Sequence, residues 1–357
     1  PIITLVLGAT LLALCLWRRD LEPVRRLKPQ WGLPVTLLVI APWLIGISMK
    51  VGDAFLKESV GHALLGKVAR GDDAHGAPPG YHTLVFFIGF WPGAILAAMA
   101  VAQGWSKRAE PAIRFLICWI LPTLIVFELV ATKLPHYTLP VYPAVAILAA
   151  LAVTRGVDFV AEGRWRIAHR VVAGLFLVIT ALLAMVPLGA TLHLQGVVSF
   201  SGTLALVFGA LTFWAGMRFL KTLEPSRLLT VLAMAMPFYF TTFHLAAPQL
   251  DSLWITRDLK AAVARYASCE NPVVALAGFA EPSSVFMLGT HTRLGEAVGA
   301  AAALRDEPCA VAVVDRREME AFTEALDGLP VTRHSTIEGL NYSKGREQAL
   351  TLFTRTP

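Results

Sequence analysis

Long apolar stretches separated by short polar segments dominate the first 247 residues of the chain. A helix of roughly 17 to 25 apolar residues is long enough to cross the hydrocarbon core of a bilayer. The pattern therefore predicts a polytopic α-helical membrane protein with about eight transmembrane helices. The predicted spans are residues 2–17, 33–49, 83–102, 115–131, 139–153, 171–192, 200–217 and 228–247.

After residue 247 the charges become frequent and the apolar runs become short. Two short apolar runs predict buried strands, and helical patterns lie between and after them, which indicates a parallel sheet with crossover connections. We therefore predict a membrane region over residues 1–247 and an α/β domain over residues 248–357. The strands are predicted at 271–278, 309–315, 330–337 and 348–355, and the helices at 281–288, 296–304 and 316–326.

Composition supports a membrane protein. The chain has 56% hydrophobic and 16% charged residues, whereas a soluble domain has about 45–50% and about 25%. These values exclude a soluble cytosolic enzyme and a disordered chain. The net charge of +6 is spread between apolar runs, so a nucleic-acid partner, which needs basic residues clustered on one face, is not expected.

The distribution of Lys and Arg predicts the orientation of the spans, because short loops rich in these residues stay in the cytoplasm. One alternating set of loops holds fifteen of them and the opposite set holds five. We therefore expect the segment 50–82, the turn near Lys133 and the C-terminal domain to face outside. The basic set is Arg18, Arg19, Arg25, Arg26, Lys28, Lys107, Arg108, Arg114, Arg155, Arg164, Arg166, Arg170, Arg218, Lys221 and Arg227.

The outward segment 50–82 has apolar residues at helical spacing, which favours either a helix in the membrane interface or a plain structural connector. It also contains a run at 61–68 that nearly matches a phosphate-binding loop. Val68 stands where that loop needs a hydroxyl, and no strand precedes the run, so no nucleotide cofactor is expected.

The end of the same segment carries Asp72, Asp73, His75 and His82 around glycines and prolines. Carboxylates and imidazoles in this arrangement suit a divalent metal or a phosphate. A solvated turn built by Gly and Pro is the alternative.

The strongest local feature is the segment 128–143, which joins two predicted spans through three prolines. Lys133, His136 and Tyr137 lie at the outer end of the first span. An ionisable group in a membrane segment is costly and marks a functional site by default, although a lysine near the edge also snorkels to the headgroups. The three side chains form a rigid donor cluster suited to a lipid phosphate, and Glu128 is placed to face the same cavity or to pair with a cation.

Four cysteines are too few for a disulfide framework, but one pair is suggestive. Cys269 and Cys309 each come directly before a predicted buried strand. If those strands are parallel neighbours, the two thiols lie side by side, close enough for a disulfide in an oxidising compartment. Cys15 and Cys118 lie inside predicted spans and are expected to be core residues.

Several motifs together resemble those of bacterial aminoarabinose transferases and related polyprenyl-phosphate-sugar glycosyltransferases. The most specific is Lys-Leu-Pro-His-Tyr-Thr-Leu-Pro-Val-Tyr-Pro at 133–143, supported by Asp-Ala-His-Gly-Ala-Pro-Pro-Gly-Tyr at 73–81 and Phe-Trp-Pro-Gly at 90–93. The segments 278–286 and 339–345 resemble the extracytoplasmic domain of one bacterial branch.

The resemblance implies transfer of a sugar from an undecaprenyl-phosphate donor to a lipid or glycan acceptor, such as lipid A, at the periplasmic face of the inner membrane. Family members have about thirteen spans, so about five are expected before Pro1. Their catalytic acidic loop would lie there too, and the catalytic residue is therefore not named here. By position, His75 matches the donor-site histidine, where a divalent metal is plausible, and Lys133 and Tyr137 match the phosphate-side turn. Pro79-Gly80 replaces the aromatic pair that some members carry.

Two other functions stay open from the residues alone. A transporter or flippase for a lipid-linked sugar would also need polar groups inside the membrane, although transporters place them at mid-depth and here they lie at the outer edge. A membrane scaffold whose C-terminal domain binds the acceptor or a partner is the other.

Overall fold

The computed structural model describes residues 2–52, 55, 77–130, 133–155 and 163–356. The chain divides into two compact units. The first comprises Pro1–Val186 and Leu204–Tyr239, and the second comprises Pro187–Thr203 and Phe240–Pro357. The second unit thus contains the predicted C-terminal domain together with short pieces of the preceding helices.

Helices make up the first unit and run on from it into the second. They are α1 (Ile2–Arg18), α2 (Glu22–Arg26), α3 (Pro29–Val51), α4 (Tyr81–Gly89), α5 (Ala97–Ser106), α6 (Pro111–Leu129), α7 (Tyr142–Thr154), α8 (Gly163–Gln195), α9 (Phe200–Thr222) and α10 (Pro225–Phe240). Short 3₁₀ turns at Gly93–Leu96 and Pro135–Val141 precede α5 and α7.

The described helices confirm a multi-pass membrane fold. Six are long and apolar enough to cross a membrane, and α4 with α5 forms a seventh candidate that is bent by 118°. The helix α1 is apolar but has only 17 residues. Side chains of α3 are exposed along its length, for example Leu38 at 74% and Val39 at 71%, as expected for a helix that contacts lipid tails.

The predicted span 83–102 is wrong as a single straight helix. The backbone turns at Trp91 and Pro92, where proline lacks the N–H that helical hydrogen bonding needs. Trp91 is 4% exposed and fills the bend. Its indole Nε1 donates to Thr180 Oγ1 at 2.8 Å, and its ring packs edge-on against Phe238 at 5.2 Å between ring centroids.

The core of the first unit lies where α5, α6, α7, α8 and α9 meet. Phe176, Phe219 and Ile113 are completely buried there, and Ile95 and Met99 are 1% exposed. This packing places the ends of α4 and α6 near each other, because both helices contribute to the same bundle.

Short helical turns between Thr241 and Leu253 follow α10 and lead into the α/β domain of the second unit. Its elements are α11 (Ile255–Tyr266), β1 (Val273–Ala277), α12 (Pro282–Leu288), β2 (Arg293–Gly295), α13 (Ala297–Asp306), β3 (Ala310–Asp315), α14 (Met319–Leu326), β4 (Val331–Asn341) and β5 (Arg346–Arg355). The sequence patterns did not predict α11 or β2.

The strand order is β2-β1-β3-β5-β4. Strands β1, β2 and β3 are parallel, as predicted, whereas β5 runs antiparallel to β3 and β4 antiparallel to β5. A short turn rather than a crossover joins β4 and β5, so the last two predicted strands form an antiparallel pair beside the parallel strands. Every residue of β3 is buried, since apolar clusters cover both faces of the sheet.

Candidate functional site at the ends of α4 and α6

The side chain of Glu128, at the end of α6, closes the beginning of α4. Its two carboxylate oxygens accept hydrogen bonds from the main-chain N–H of His82 at 3.0 Å and of Gly80 at 3.2 Å. The first N–H groups of a helix have no partner inside the helix, and the helix dipole favours a negative charge there. Glu128 thus joins two helices that are more than 40 residues apart in sequence.

Lys133 binds the main chain at the C-terminal end of α6. Its side chain is only 7% exposed, and Nζ donates to the carbonyl oxygens of Glu128 at 2.9 Å and Val130 at 3.0 Å. The last carbonyls of a helix lack partners inside the helix, so the lysine completes the hydrogen bonding at the end of α6. An ammonium has three N–H donors, and the described residues occupy two of them.

His136 and Tyr137 follow on the 3₁₀ turn. The ring of Tyr137 packs against Phe127 of α6 at 5.2 Å between centroids, and the His136 ring lies edge-on to Tyr137 at 5.1 Å. His136 is exposed and Tyr137 is half-buried. The structure therefore brings Lys133, His136 and Tyr137 to one turn, as predicted from the sequence. The lysine is more deeply buried than the two rings.

His82, which the sequence analysis grouped with Asp72, Asp73 and His75, lies in the first turn of α4. It is 1% exposed, and its ring lies 5.2 Å from Tyr81 and 6.3 Å from Phe127. Among the described residues neither ring nitrogen has a hydrogen-bond partner. We call the group Tyr81, His82, Glu128, Lys133, His136 and Tyr137 the α4–α6 cluster.

An aromatic wall continues from this cluster along α4. Phe86 and Phe90 stack at 5.2 Å, and Tyr142 lies edge-on to them at 5.8 and 5.3 Å. Gly89 permits this contact, because a Cβ atom there would lie 2.7 Å from the Tyr142 hydroxyl. The Tyr142 hydroxyl is buried and has no partner in the part of the chain that the structure describes.

The metal prediction rests on residues of the outward segment. Asp72, Asp73 and His75 lie outside the described residues. Within the described ranges, no three His, Cys, Asp or Glu side chains come together as a metal site would require. Glu128 already binds the two N–H groups of α4, so the α4–α6 cluster does not by itself supply a ligand set.

In the second unit, the sulfur atoms of Cys269 and Cys309 form a disulfide, with the Cα atoms 6.3 Å apart. The two residues precede β1 and β3, which are parallel neighbours with Val273 opposite Ala310. This is the arrangement from which the sequence suggested the pair. Cys15 and Cys118 are free and buried.

Curated relatives are similar to parts of this chain, although no family model matches it. Three are named as undecaprenyl phosphate-α-4-amino-4-deoxy-L-arabinose arabinosyl transferases. That of Aeromonas salmonicida is 28% identical over 69% of this chain and 45% of its own length. That of Erwinia tasmaniensis is 28% identical over 56% and 36%, and that of Pseudomonas fluorescens is 30% identical over 38% and 24%. The matches thus span less than half of each relative's length.

Two solved structures share the fold over almost the whole chain. ArnT from Cupriavidus metallidurans in the apo state superposes with a TM-score of 0.65 at 17% identity, covering 98% of this chain and 64% of the other. The same protein bound to undecaprenyl phosphate gives 0.61 at 18% identity, covering 98% and 65%. The chain thus shares its fold with ArnT from Cupriavidus metallidurans and is similar in sequence, over part of its length, to the arabinosyl transferases named above.

Proposed function

We propose that this chain is part of an integral membrane glycosyltransferase that moves a sugar from an undecaprenyl-phosphate-linked donor to a lipid acceptor such as lipid A. The observation that carries the proposal is the α4–α6 cluster, which places a lysine, a tyrosine and a histidine on one rigid turn at the end of two spans. The names of the similar proteins and the undecaprenyl phosphate bound to one of them support the choice of donor.

The location of the cluster suits a lipid-linked donor. A polyprenyl chain stays among the lipid tails and leaves its phosphate at the depth of the headgroups. The turn Pro135–Val141 follows α6 and forms the first part of the next candidate span, Pro135–Thr154. The excess of Lys and Arg in the opposite loops favours the outer side of the membrane for this end, and we take that side to be the periplasmic face of the inner membrane.

We infer that the turn stabilises the donor phosphate as it leaves the sugar. When the bond between the sugar and the donor phosphate breaks, negative charge develops on the departing phosphate oxygen. Preorganised donors and cations aimed at that oxygen lower the barrier. The third N–H of Lys133, the Tyr137 hydroxyl and the exposed His136 ring are the groups that would supply these interactions.

The contacts of Lys133 explain how the turn would be preorganised. The carbonyls of Glu128 and Val130 fix the ammonium group in place, so the charge does not need to be reoriented when the donor binds. A charge fixed in a protein site of low dielectric acts more strongly than one in water.

Activation of the acceptor requires a different group. A phosphate acceptor is already ionised at neutral pH and needs only to be positioned, whereas a hydroxyl acceptor needs a base. We assign that role to an acidic residue, as the resemblance described above implies.

A divalent metal at His75 is a further part of the proposal. Asp72, Asp73 and His75 supply the carboxylate and imidazole ligands that such an ion takes. A bound ion would supply positive charge to the donor phosphates. Loss of transfer on chelation, with recovery on addition of a single divalent ion, is the expected result, and chelator-resistant transfer would remove the metal from the proposal.

Transfer and transport are distinguished by one reconstitution. The intact protein is placed in vesicles with an undecaprenyl-phosphate-linked aminosugar and lipid A, and the lipid A mass is followed by mass spectrometry. We expect lipid A to gain the mass of the sugar. Movement of the donor between leaflets without any gain in lipid A mass would contradict the transferase and support a flippase.

The bend between α4 and α5 does not by itself favour transport. Transporters place their substrate at helix breaks near mid-depth, but here Trp91 fills the break and is hydrogen-bonded to Thr180. The polar groups that the proposal uses, Lys133, His136 and Tyr137, lie instead at and just after the end of α6.

A further inference from the structure

A cavity of about 740 Å³ lies in the second unit, at the end of the sheet where β3 ends. Its volume lies within the ~300–1,000 Å³ typical of small-molecule sites. The residues that define its chemistry are His193 at the end of α8, Arg316 and Arg317 after β3, Glu338 on β4, and Glu347 and Gln348 on β5. In open α/β sheets, ligands bind outside the carboxyl ends of the strands, and this cavity lies at the carboxyl end of β3.

On one side of the cavity, β4 lies very close to the segment that precedes α11. A Cβ atom on Gly339 would lie 2.6 Å from the carbonyl oxygen of Ser252 and 2.6 Å from Ile255 Cγ1. Only glycine therefore lets β4 approach the connection before α11 this closely. Ser252 also lines the cavity, and its hydroxyl is buried without a hydrogen-bond partner among the described residues. A buried hydroxyl without a partner costs free energy, which a ligand in the cavity would recover.

A buried carboxylate orients one of the two guanidinium groups. Asp315 is 1% exposed, and its Oδ1 accepts from Arg317 Nε at 2.6 Å and from Arg317 N at 3.1 Å. Arg317 Nη2 reaches Gln348 Oε1 at a longer distance of 3.4 Å. Arg317 is thus held in place where it lines the cavity.

The lining carries charges of both signs, with one more carboxylate than guanidinium. Arg316 and Arg317 are opposed by Asp315, Glu338 and Glu347, so the cavity does not favour a simple anion. Guanidinium, carboxylate and amide groups are planar. A guanidinium offers two donors side by side, a carboxylate two acceptors, and an amide one donor beside one acceptor. Neighbouring hydroxyl groups of a sugar act as donor and acceptor at once, and they match such groups in pairs.

We propose that this cavity binds the sugar part of a membrane glycan, which is the headgroup of the acceptor. This inference rests on the proposed function for the existence of a glycan acceptor. His193 lies in the last turn of α8, at the end opposite the arginines that begin this helix. In the orientation proposed above, this end of α8 faces the outer side of the membrane, where such a glycan would be found.

The test compares two charge-neutral double variants of the intact protein in detergent. R316Q/E347Q removes one cation and one anion from exposed positions of the cavity. The matched control, R333Q/E324Q, removes the same charges from exposed positions on β4 and α14 that do not line it. The probe is the glucosamine disaccharide of lipid A without acyl chains or phosphates, and binding is measured by isothermal titration calorimetry with inorganic phosphate as competitor.

We expect the wild type and the control to bind the disaccharide, R316Q/E347Q to bind it at least ~10-fold more weakly, and phosphate not to compete. Equal affinity of wild type and R316Q/E347Q would overturn the inference, as would no binding to the wild type. Competition by phosphate would overturn it in favour of an anion site. Binding of undecaprenyl phosphate to the wild-type sample separates the two proposals. A wild type that binds this lipid phosphate but not the disaccharide contradicts only the cavity inference.

Discussion

The carboxylate of Glu128 accepts the main-chain N–H of His82 at 3.0 Å, across 46 positions of the sequence. One side chain at the end of α6 therefore fixes where α4 begins. The carbonyl oxygen of the same residue accepts from Lys133, so the start of α4 and the turn that carries His136 and Tyr137 share a single residue. This relationship makes the position of the turn depend on Glu128.

Replacement of Glu128 tests this dependence. E128A leaves the N–H groups of Gly80 and His82 without the carboxylate, and we expect the free energy of unfolding to fall by ~1–3 kcal/mol. E128Q keeps one carbonyl oxygen as an acceptor and is expected to lose less. Thermal unfolding in detergent measures both.

Glu110 provides the control for this comparison. Its carboxylate pairs with Arg155 at 2.8 Å, but both side chains are about 40% exposed. Exposed ion pairs contribute ~0–1 kcal/mol, so E110A is expected to unfold close to the wild-type temperature. If E128A were as stable as E110A, Glu128 would not hold α4 in place.

The contact between Gly89 and Tyr142 predicts a second effect. G89A places a Cβ atom 2.7 Å from the Tyr142 hydroxyl but 3.4 Å from the nearest ring carbon. Overpacking of this kind costs ~1–3 kcal/mol. Removing the hydroxyl relieves the clash, so Y142F is expected to restore most of the stability lost in G89A.

A double-mutant cycle of G89A and Y142F measures this coupling. The interaction free energy should be favourable and within the ~0.5–3 kcal/mol seen for residues in contact. Additive effects of the two substitutions would show that α4 and α7 do not pack through this pair.

The disulfide of the second unit predicts a redox-dependent stability. Cys269 and Cys309 are separated by 40 positions, and closing a loop of this length restricts the unfolded chain by about 4 kcal/mol in the chain-entropy description. We expect reduction, or C269S/C309S, to lower the unfolding temperature of the C-terminal unit. Limited proteolysis with and without reductant follows this unit specifically.

The variant C269S/C309S is also a control, because Cys15 and Cys118 are the cysteines that remain in it. Both are free, so reductant should have no further effect on C269S/C309S. A wild-type protein whose C-terminal unit resists proteolysis equally in both conditions would contradict a stabilising role for the bond.

The sequence predicted the membrane fold because hydrocarbon length and charge bias act locally, one span at a time. It did not predict the break between α4 and α5, although a proline such as Pro92 often interrupts a helix. A hydropathy pattern records that Phe90 and Trp91 are apolar, but it does not record that their backbone turns. Strand β2 was missed because it has only three residues, all of them exposed.

The members of the α4–α6 cluster were only partly predictable. Lys133, His136 and Tyr137 are neighbours in sequence, so their proximity followed from the pattern. The hydrogen bonds of Glu128 to the start of α4 join residues 46 and 48 positions apart, and the packing of the whole bundle decides such contacts. The burial of Lys133 against carbonyl oxygens has the same origin.

Binding of undecaprenyl phosphate to K133Q tests the central claim most directly. Glutamine keeps N–H donors for the carbonyls of Glu128 and Val130 but removes the positive charge, and K221Q, at the end of α9, removes a charge far along the chain from the turn. With equal unfolding temperatures in detergent, we expect K221Q to bind the lipid phosphate like the wild type and K133Q to bind it at least ~10-fold more weakly. Wild-type affinity in K133Q would contradict the account, because the charge at this turn would then play no part in holding the donor.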